Sequence, residues 1–309
     1  MELPKQVKIR EVAPRDGFQS WPDFVPTEYK QEIIAAAVES GIREMETTSF
    51  VSPKAIPQMQ DAAEVVKTAP RPGCLHFALV PNVKGAQLAI EAGVDGVVVV
   101  ISSSEQHNQA NVRRSIQKSI DDLDEIFNLA RKQHTRITGA LAVAFGCPYQ
   151  GDVPLRDVFS LAEAFVSRGA DSLILADTTG MATPPRVSRI VQDFKKQFDV
   201  DFSLHFHNNR GTAMTNLYAA LTAGATVFDT ALGGIGGCPN VPLAAGNLPT
   251  EDVVYMLEDM GIATGIDLVS LIKAAHLLEK RLGRTLPGQV MKSGPRDPAQ
   301  ALEICGHIL

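Results

Sequence analysis

His205-Phe206-His207 is the sharpest chemical signal in the chain. Strand side chains alternate between two faces, so both imidazoles point one way and Phe206 the other. Two imidazoles about 7 Å apart on one face can ligate a single divalent ion if a neighbouring strand supplies a carboxylate. Pro14-Arg15-Asp16-Gly17 offers one in Asp16, at the end of a short strand-like run. A mixed nitrogen and oxygen donor set favours Mg²⁺, Mn²⁺ or Zn²⁺ over soft metals, and the lack of a thiolate favours Mg²⁺ or Mn²⁺. The plainer account is a pair of buried histidines satisfied by carbonyls, with Arg15 and Asp16 as an ion pair capping the strand. Regular alternation would send Arg15 and Asp16 to opposite faces. Gly17 would let the backbone turn there and bring both into one site.

Three further segments carry polar groups of the right kind. Glu46-Thr47-Thr48-Ser49 closes a second strand-like run, and Asp177-Thr178-Thr179-Gly180 closes a later one. Gly233-Gly234-Ile235-Gly236-Gly237-Cys238-Pro239 is followed by Asn247. That glycine run lacks the Gly-Lys-Ser/Thr ending of a phosphate loop, and the next helix starts too late for a dinucleotide fingerprint. A glycine-hinged lid that carries the Cys238 thiol is the more economical reading, with an incidental cysteine as its alternative.

Such groups need a scaffold that gathers strand ends. Period and punctuation give eight strands, at 7–12, 44–49, 75–81, 96–102, 137–145, 172–177, 202–207 and 226–232. They alternate with helical stretches at 27–40, 56–68, 83–92, 115–133, 155–168, 184–198, 211–223 and 251–260, where apolar residues recur at i, i+3 and i+4. Small-residue and glycine junctions at Gly41, Gly93, Gly169 and Gly224 end helices at similar phase, as one βα unit reused would. Eight such units in about 255 residues predict an α/β fold, the (β/α)8 TIM barrel, with active residues at the C-terminal ends of the strands. A doubly wound sheet stays open, because strand order is invisible in sequence. An extra helix is expected at 266–281. The 309 residues are read as a single catalytic domain, with the barrel at about 5–262 and a C-terminal helical extension at about 263–309.

Composition narrows the classes. The net charge is −6 and the pI near 5.7, so no overall basic surface recruits nucleic acid or anionic lipid. The longest apolar runs fall far short of the roughly 20 residues that span a bilayer. Cys74, Cys147, Cys238 and Cys305 show neither CxxC nor zinc-finger spacing, so no disulfide framework or cysteine metal site is indicated. Without a recognisable presequence, a cytoplasmic protein is expected.

These residues together resemble the hydroxymethylglutaryl-CoA lyases, within the larger group of metal-dependent barrel lyases and acyl-CoA condensing enzymes. The resemblance covers roughly residues 5–285. It rests on Pro14-Arg15-Asp16-Gly17-Phe18-Gln19, on Glu46-Thr47-Thr48-Ser49-Phe50-Val51-Ser52-Pro53-Lys54, on Pro57-Gln58-Met59, and on Pro81-Asn82-Val83-Lys84-Gly85. Further along it continues with Gly146-Cys147-Pro148-Tyr149, Asp177-Thr178-Thr179-Gly180, the His-Phe-His segment, Gly234 to Pro239, and Gly246-Asn247 running into Thr250-Glu251-Asp252. The resemblance implies that Asp16, His205, His207 and Asn247 hold a divalent cation and that Arg15 stabilises the enolate of departing acetyl-CoA. Glu46 and Asp177 would lie close to metal and substrate, and Cys238 would close over the site. The implied reaction is retro-Claisen cleavage of 3-hydroxy-3-methylglutaryl-CoA to acetyl-CoA and acetoacetate, in a homo-oligomer (a dimer or tetramer) whose partner is the acyl-CoA. Gln19, Asn82 and Lys84 are candidate substrate contacts. Lys84, Asn108 and Arg113, placed on loops above the barrel, are candidates for the CoA phosphates.

The chain departs from the family pattern in three places. Gln19 is followed by Ser20-Trp21 rather than Asn-Glu. The second histidine is followed by Asn208-Asn209-Arg210-Gly211 rather than Asp-Thr-Tyr-Gly, and Cys238-Pro239 by Asn240-Val241 rather than Tyr-Ala. The rim has changed while the metal set has not, which leaves the acyl group more open than the reaction. A sister lyase for another 3-hydroxy-3-substituted acyl-CoA, such as citramalyl-CoA or a longer branched analogue, is the nearest rival. A condensing acyltransferase would start Asp-x-Thr-x-Arg-Asp-Gly, whereas residues 11–14 are Glu-Val-Ala-Pro. A non-catalytic paralogue would be expected to have lost a metal ligand.

Overall fold

The eight runs form eight parallel strands: β1 (Lys8–Glu11), β2 (Glu44–Ser49), β3 (Leu75–Val80), β4 (Gly96–Ser102), β5 (Arg136–Ala142), β6 (Ser172–Asp177), β7 (Asp201–Phe206) and β8 (Val227–Thr230). The computed structural model describes residues 3–237 and 245–306. Each strand pairs with its sequence neighbours, and β1 closes the ring against β8 in the register Lys8↔Val227 to Glu11↔Thr230. The TIM barrel expectation holds, and the doubly wound sheet is excluded.

Local sequence explains how each unit is built. β4, Gly-Val-Val-Val-Val-Ile-Ser, is apolar on both faces because one face meets the barrel interior and the other the helices. The helix Leu155–Val166 buries Val158, Phe159, Leu161, Ala162 and Phe165 along one stripe. Gly139 on β5 makes room for it, since a Cβ there would lie 2.5 Å from the Phe165 ring. At Gly93 the helix Val83–Ala92 ends in a left-handed residue, φ +85°, and the chain drops into β4. After the barrel, Leu268–Leu282 packs on Thr27–Glu39, where Arg281 grips Glu32 with two hydrogen bonds of 2.7 and 2.9 Å. Two short helices follow, Val290–Ser293 and Pro298–Cys305.

Several boundaries differ from expectation. The stretch 56–68 divides into a single 3₁₀ turn, Pro57–Met59, which proline opens at the position that needs no N–H, and a helix, Ala62–Thr68. The stretch 115–133 divides at Asp122 into Ile116–Asp121 and Leu123–Lys132. β5 stops at Ala142 rather than 145, because Val143 is left-handed at φ +53° and leaves the ladder. Thr178 Oγ1 accepts from its N–H at 3.0 Å. Glu105–Val112 is a helix that apolar periodicity could not reveal, since Glu-Gln-His-Asn-Gln-Ala-Asn-Val is polar nearly all round. Ser104 caps it by accepting from the His107 N–H.

Two buried carboxylates tie the barrel to the loop after β8. Glu11 accepts from the N–H groups of Ala13 (2.7 Å) and Leu232 (2.9 Å) and from Thr250 Oγ1 (2.6 Å). Glu251 accepts from the Gly233 N–H at 3.1 Å. Burial raises the pKa of Glu11 to about 7 and that of Glu251 to about 8. Both groups therefore hold protons in the folded chain that the unfolded chain has released, and folding stability falls as pH rises from the ordinary glutamate range to about 8. Glu251→Gln should flatten that fall. In urea unfolding at about pH 5 and about pH 8.5, the wild-type midpoint should drop further than the variant's. Equal drops would contradict the assignment.

Candidate metal centre and active site

A five-residue π-helical turn, Ala13–Gly17, follows β1 and solves the orientation problem posed by Arg15 and Asp16. Inside it both side chains reach the barrel mouth. Arg15 Nη1 donates to Asp16 Oδ1 at 2.7 Å, and Arg15 Nε donates to Glu46 Oε2 at 2.5 Å. The role expected of Gly17 needs correcting: its φ lies outside the positive range, and it is required for space. A Cβ at Gly17 would collide with the side chain of Ile235 in the loop after β8.

His205 is the penultimate residue of β7, and His207 follows immediately after the strand. Their ring centroids are 4.9 Å apart and their Nε2 atoms 2.9 Å apart, closer than the 7 Å expected, because both rings turn inward to the same point. Asp16 Oδ2 is 3.4 Å from His207 Nε2. One donor atom from each of Asp16, His205 and His207 lies within 4.8 Å of the others. Asn247 is delivered by an isolated antiparallel bridge to His207. Its Nδ2 donates to Asp16 Oδ2 at 2.6 Å and to the Ile235 carbonyl at 3.0 Å, while its buried Oδ1 has no partner. An orphaned amide oxygen beside a carboxylate and two imidazoles fits a hard divalent cation. The loop lies directly on this cluster. Gly236 sits at φ +114°, and a Cβ there would collide with Asn247 Nδ2 and come 2.9 Å from Asp16 Oδ2.

The charges around the cluster set its protonation. Asp16 is held well below the usual carboxylate range: burial opposes this, but the Arg15 guanidinium outweighs it, with His207 adding to the effect. Burial works to lower the pKa of His205, yet the Asp229 carboxylate behind it raises the net value. Burial lowers the pKa of His207.

Asp229 was not among the residues singled out from sequence. It lies on β8 in register with His205, fully buried, with Oδ2 3.4 Å from His205 Nδ1 and Oδ1 3.5 Å from Arg10 Nη1. Arg10 in turn meets Glu44 at 2.6 Å. A carboxylate behind the imidazole fixes its tautomer and ring direction, leaving Nε2 for the cluster. The signal available in sequence was slight, one acid inside the short run Val-Phe-Asp-Thr.

The remaining candidates are dispersed. Asp177 ends β6 and accepts at Oδ1 from the N–H groups of Met181 (2.7 Å) and Ala182 (3.0 Å). Its Oδ2 has no partner, and burial raises its pKa to about 6. Gln19 Oε1 accepts from Ser49 Oγ at 2.8 Å. Asn82 caps Val83–Ala92 by accepting from the Gly85 N–H at 2.9 Å, and Lys84 is exposed. Asn108 is no loop residue. It is buried in Glu105–Val112, accepts from the Ser102 N–H and donates to the Arg114 carbonyl and Ser119 Oγ, so its amide is committed to the fold. Arg113, exposed, ends that helix in a left-handed conformation. Cys238 lies outside the described residues, as do Pro239, Asn240 and Val241.

A closed parallel barrel with a carboxylate, two imidazoles and a guanidinium gathered at one mouth defines a barrel enzyme with a candidate metal centre at the C-terminal ends of its strands. The HMGL-like family matches residues 6–278, and the chain belongs to that family as a carbon–carbon lyase. It is 42% identical over 298 residues to the hydroxymethylglutaryl-CoA lyase YngG of Bacillus subtilis, covering 95% of this chain and 100% of that protein. It is 39% identical over 304 residues to the (R)-citramalyl-CoA lyase of Chloroflexus aurantiacus, covering 94% and 96%. Among solved structures, an HMG-CoA lyase from Acinetobacter baumannii in complex with coenzyme A and 3-methylmalate superposes with a TM-score of 0.92. The identity is 42%, covering 96% of this chain and 97% of that one.

Proposed function

We propose that this chain cleaves 3-hydroxy-3-methylglutaryl-CoA to acetyl-CoA and acetoacetate, and the observation that carries the reading is the convergence of Asp16, His205 and His207 beside Arg15 at the barrel mouth. Asp16, His205, His207 and Asn247 would hold a divalent cation, Mg²⁺ or Mn²⁺ by the chemistry of the donor set. When bound, such an ion supplies Lewis acidity that lowers the pKa of the substrate's 3-hydroxyl.

The chain's own residues do the rest. Asp177, with one unpartnered oxygen and a pKa raised to about 6 by burial, is suited to take up the hydroxyl proton near neutral pH. Breaking the C2–C3 bond then leaves its electron pair on the acetyl-CoA fragment, with charge on the thioester oxygen. Arg15 meets that charge. Its pairs with Glu46 and Asp16 use Nε and Nη1 and fix the plane of the guanidinium, so the group needs no reorganisation as charge develops. Cys238, carried on the glycine-hinged loop, would close over the site and return a proton to the new methyl carbon.

Cys238→Ser tests the last assignment. A serine hydroxyl is far less acidic than a thiol, so most turnover should be lost while the fold and Mn²⁺ affinity persist. Wild-type turnover in the variant would reduce Cys238 to an incidental loop residue. The test of the reaction itself is product stoichiometry: one acetyl-CoA and one acetoacetate for each 3-hydroxy-3-methylglutaryl-CoA consumed. The citramalyl-CoA reading rests on the second relative above and predicts acetyl-CoA and pyruvate from citramalyl-CoA instead. Exclusive use of citramalyl-CoA would overturn the first reading. A cytoplasmic homo-oligomer, dimer or tetramer, is the setting we assign to this activity.

A further inference from the structure

The barrel interior is divided in two. β7, β8, β1 and β2 turn His205, Asp229, Arg10, Glu44 and Glu46 inward. On β3 to β6 the inward side chains are apolar between a hydroxyl pair near the strand starts, Thr138 Oγ1 and Ser172 Oγ 2.9 Å apart, and Ser102 near the strand ends. The apolar ones form a cluster separate from the main core between strands and helices. Its buried members are Phe77 on β3, Val98 on β4, Ala140 on β5, and Ile174 and Ala176 on β6, with Leu79 and Val100 among the partly buried side chains packed against them. Phe77 is the floor, with the Arg10 guanidinium 5.5 Å from its ring centroid and Gly96 kept free of a Cβ that would collide with it.

The upper edge of this cluster belongs to the site rather than to the sealed core. Ala176 pairs in register with His205, so it is the first side chain beside the imidazole on the next strand. Ala140 pairs with Ile174 on one side and Val100 on the other, which carries the apolar surface away from the metal centre strand by strand. Leu79 and Val100 keep partial exposure, although both lie inside the ring. Alanine at 140 and 176, between the larger Ile174, Val100 and Leu79, leaves the wall recessed where it meets the histidines. Two residues above Val100, on the same face, Ser102 marks its upper limit, with its hydroxyl bound to His107 Nδ1 at 2.7 Å.

We propose that this recessed wall receives the apolar substituent on carbon 3 of the acyl-CoA, and that the chain accepts 3-alkyl-3-hydroxyglutaryl-CoA thioesters with alkyl groups longer than methyl. The inference rests on the lyase reading above and extends it to a substrate class. A substrate whose 3-hydroxyl and carboxylate lie towards the histidine side must turn its remaining carbon-3 substituent to the other half of the ring, where the stretch beside the histidines, below Ser102, offers hydrocarbon. The chemistry is unchanged: the C2–C3 bond breaks, its electron pair and the hydroxyl proton end on the methyl carbon of acetyl-CoA, and the other product is the 3-oxoalkanoate R–CO–CH₂–COO⁻. No further reactant is needed.

The test is kcat/KM for the 3-methyl, 3-ethyl, 3-propyl and 3-butyl members, followed by release of acetyl-CoA from each. Each methylene that reaches the wall should raise kcat/KM by up to about fourfold, and the propyl compound should be used at least as well as the methyl one. A 3-(2-hydroxyethyl) analogue, of similar length to propyl, should be used at least tenfold less well than propyl, because its hydroxyl finds no partner on the wall. Ala140→Leu fills the recess, and its butyl-to-methyl ratio of kcat/KM should fall at least tenfold below the wild-type ratio. The proposal is overturned if each added methylene lowers kcat/KM tenfold or more while the methyl compound is cleaved, a result that leaves the lyase reading standing. Equal use of propyl and hydroxyethyl compounds would also overturn it. Cleavage of none of the series would remove the lyase reading, and this one with it.

Discussion

Arg15→Gln is expected to lower kcat by about 10²- to 10³-fold, the loss that follows removal of one preorganised donor to a developing oxyanion, with a much smaller change in KM. The asymmetry follows from when the interaction is made. In the ground state the thioester oxygen carries little charge, and Arg15 is already occupied by Glu46 and Asp16. Negative charge arrives on that oxygen only as the C2–C3 bond breaks, so Arg15 stabilises the transition state more than the bound substrate. Glutamine keeps a donor and much of the length but loses the charge. A variant with near-normal kcat and a raised KM would recast Arg15 as an anchor for the substrate carboxylate.

Asp16→Asn should weaken Mn²⁺ binding by at least about 100-fold, read directly by isothermal titration or by electron paramagnetic resonance of the free ion. Asp16 is the single anionic member of the triad, and the Arg15 guanidinium holds it ionised against its own burial. Asparagine preserves shape and hydrogen bonding to Asn247 while removing the charge, so the fold should persist and the ion should be lost. Unchanged Mn²⁺ affinity would move the cation elsewhere.

How much of this could be read from the chain varies by residue. The shared face of His205 and His207 follows from strand alternation alone, and the placement of polar groups at the ends of β1, β2, β6 and β7 follows from the barrel. What alternation could not show is how Arg15 and Asp16 reach one point, because that depends on a π-helical turn with no distinct residue pattern. Asn247 stood out as a polar residue after the glycine loop, but its place among the ligands came only through family resemblance: its approach depends on a bridge to His207 between segments 40 residues apart. Asp229 escaped notice because a single acid in an apolar strand reads as an edge residue until the barrel closes and turns it inward behind His205. Asn108 was misplaced for the opposite reason: a polar helix with no apolar stripe looks like loop, and its buried amide looks like a free one. The division of the barrel interior into a charged and an uncharged half needs the strand register, which no local pattern carries.

The most direct measurement is turnover of 3-hydroxy-3-methylglutaryl-CoA by metal-stripped protein, titrated with Mg²⁺ or Mn²⁺ and followed by the appearance of acetyl-CoA. The account predicts no cleavage in the stripped protein, and activity that rises with added ion and saturates near one ion per chain. Full activity from stripped protein in excess EDTA would contradict it.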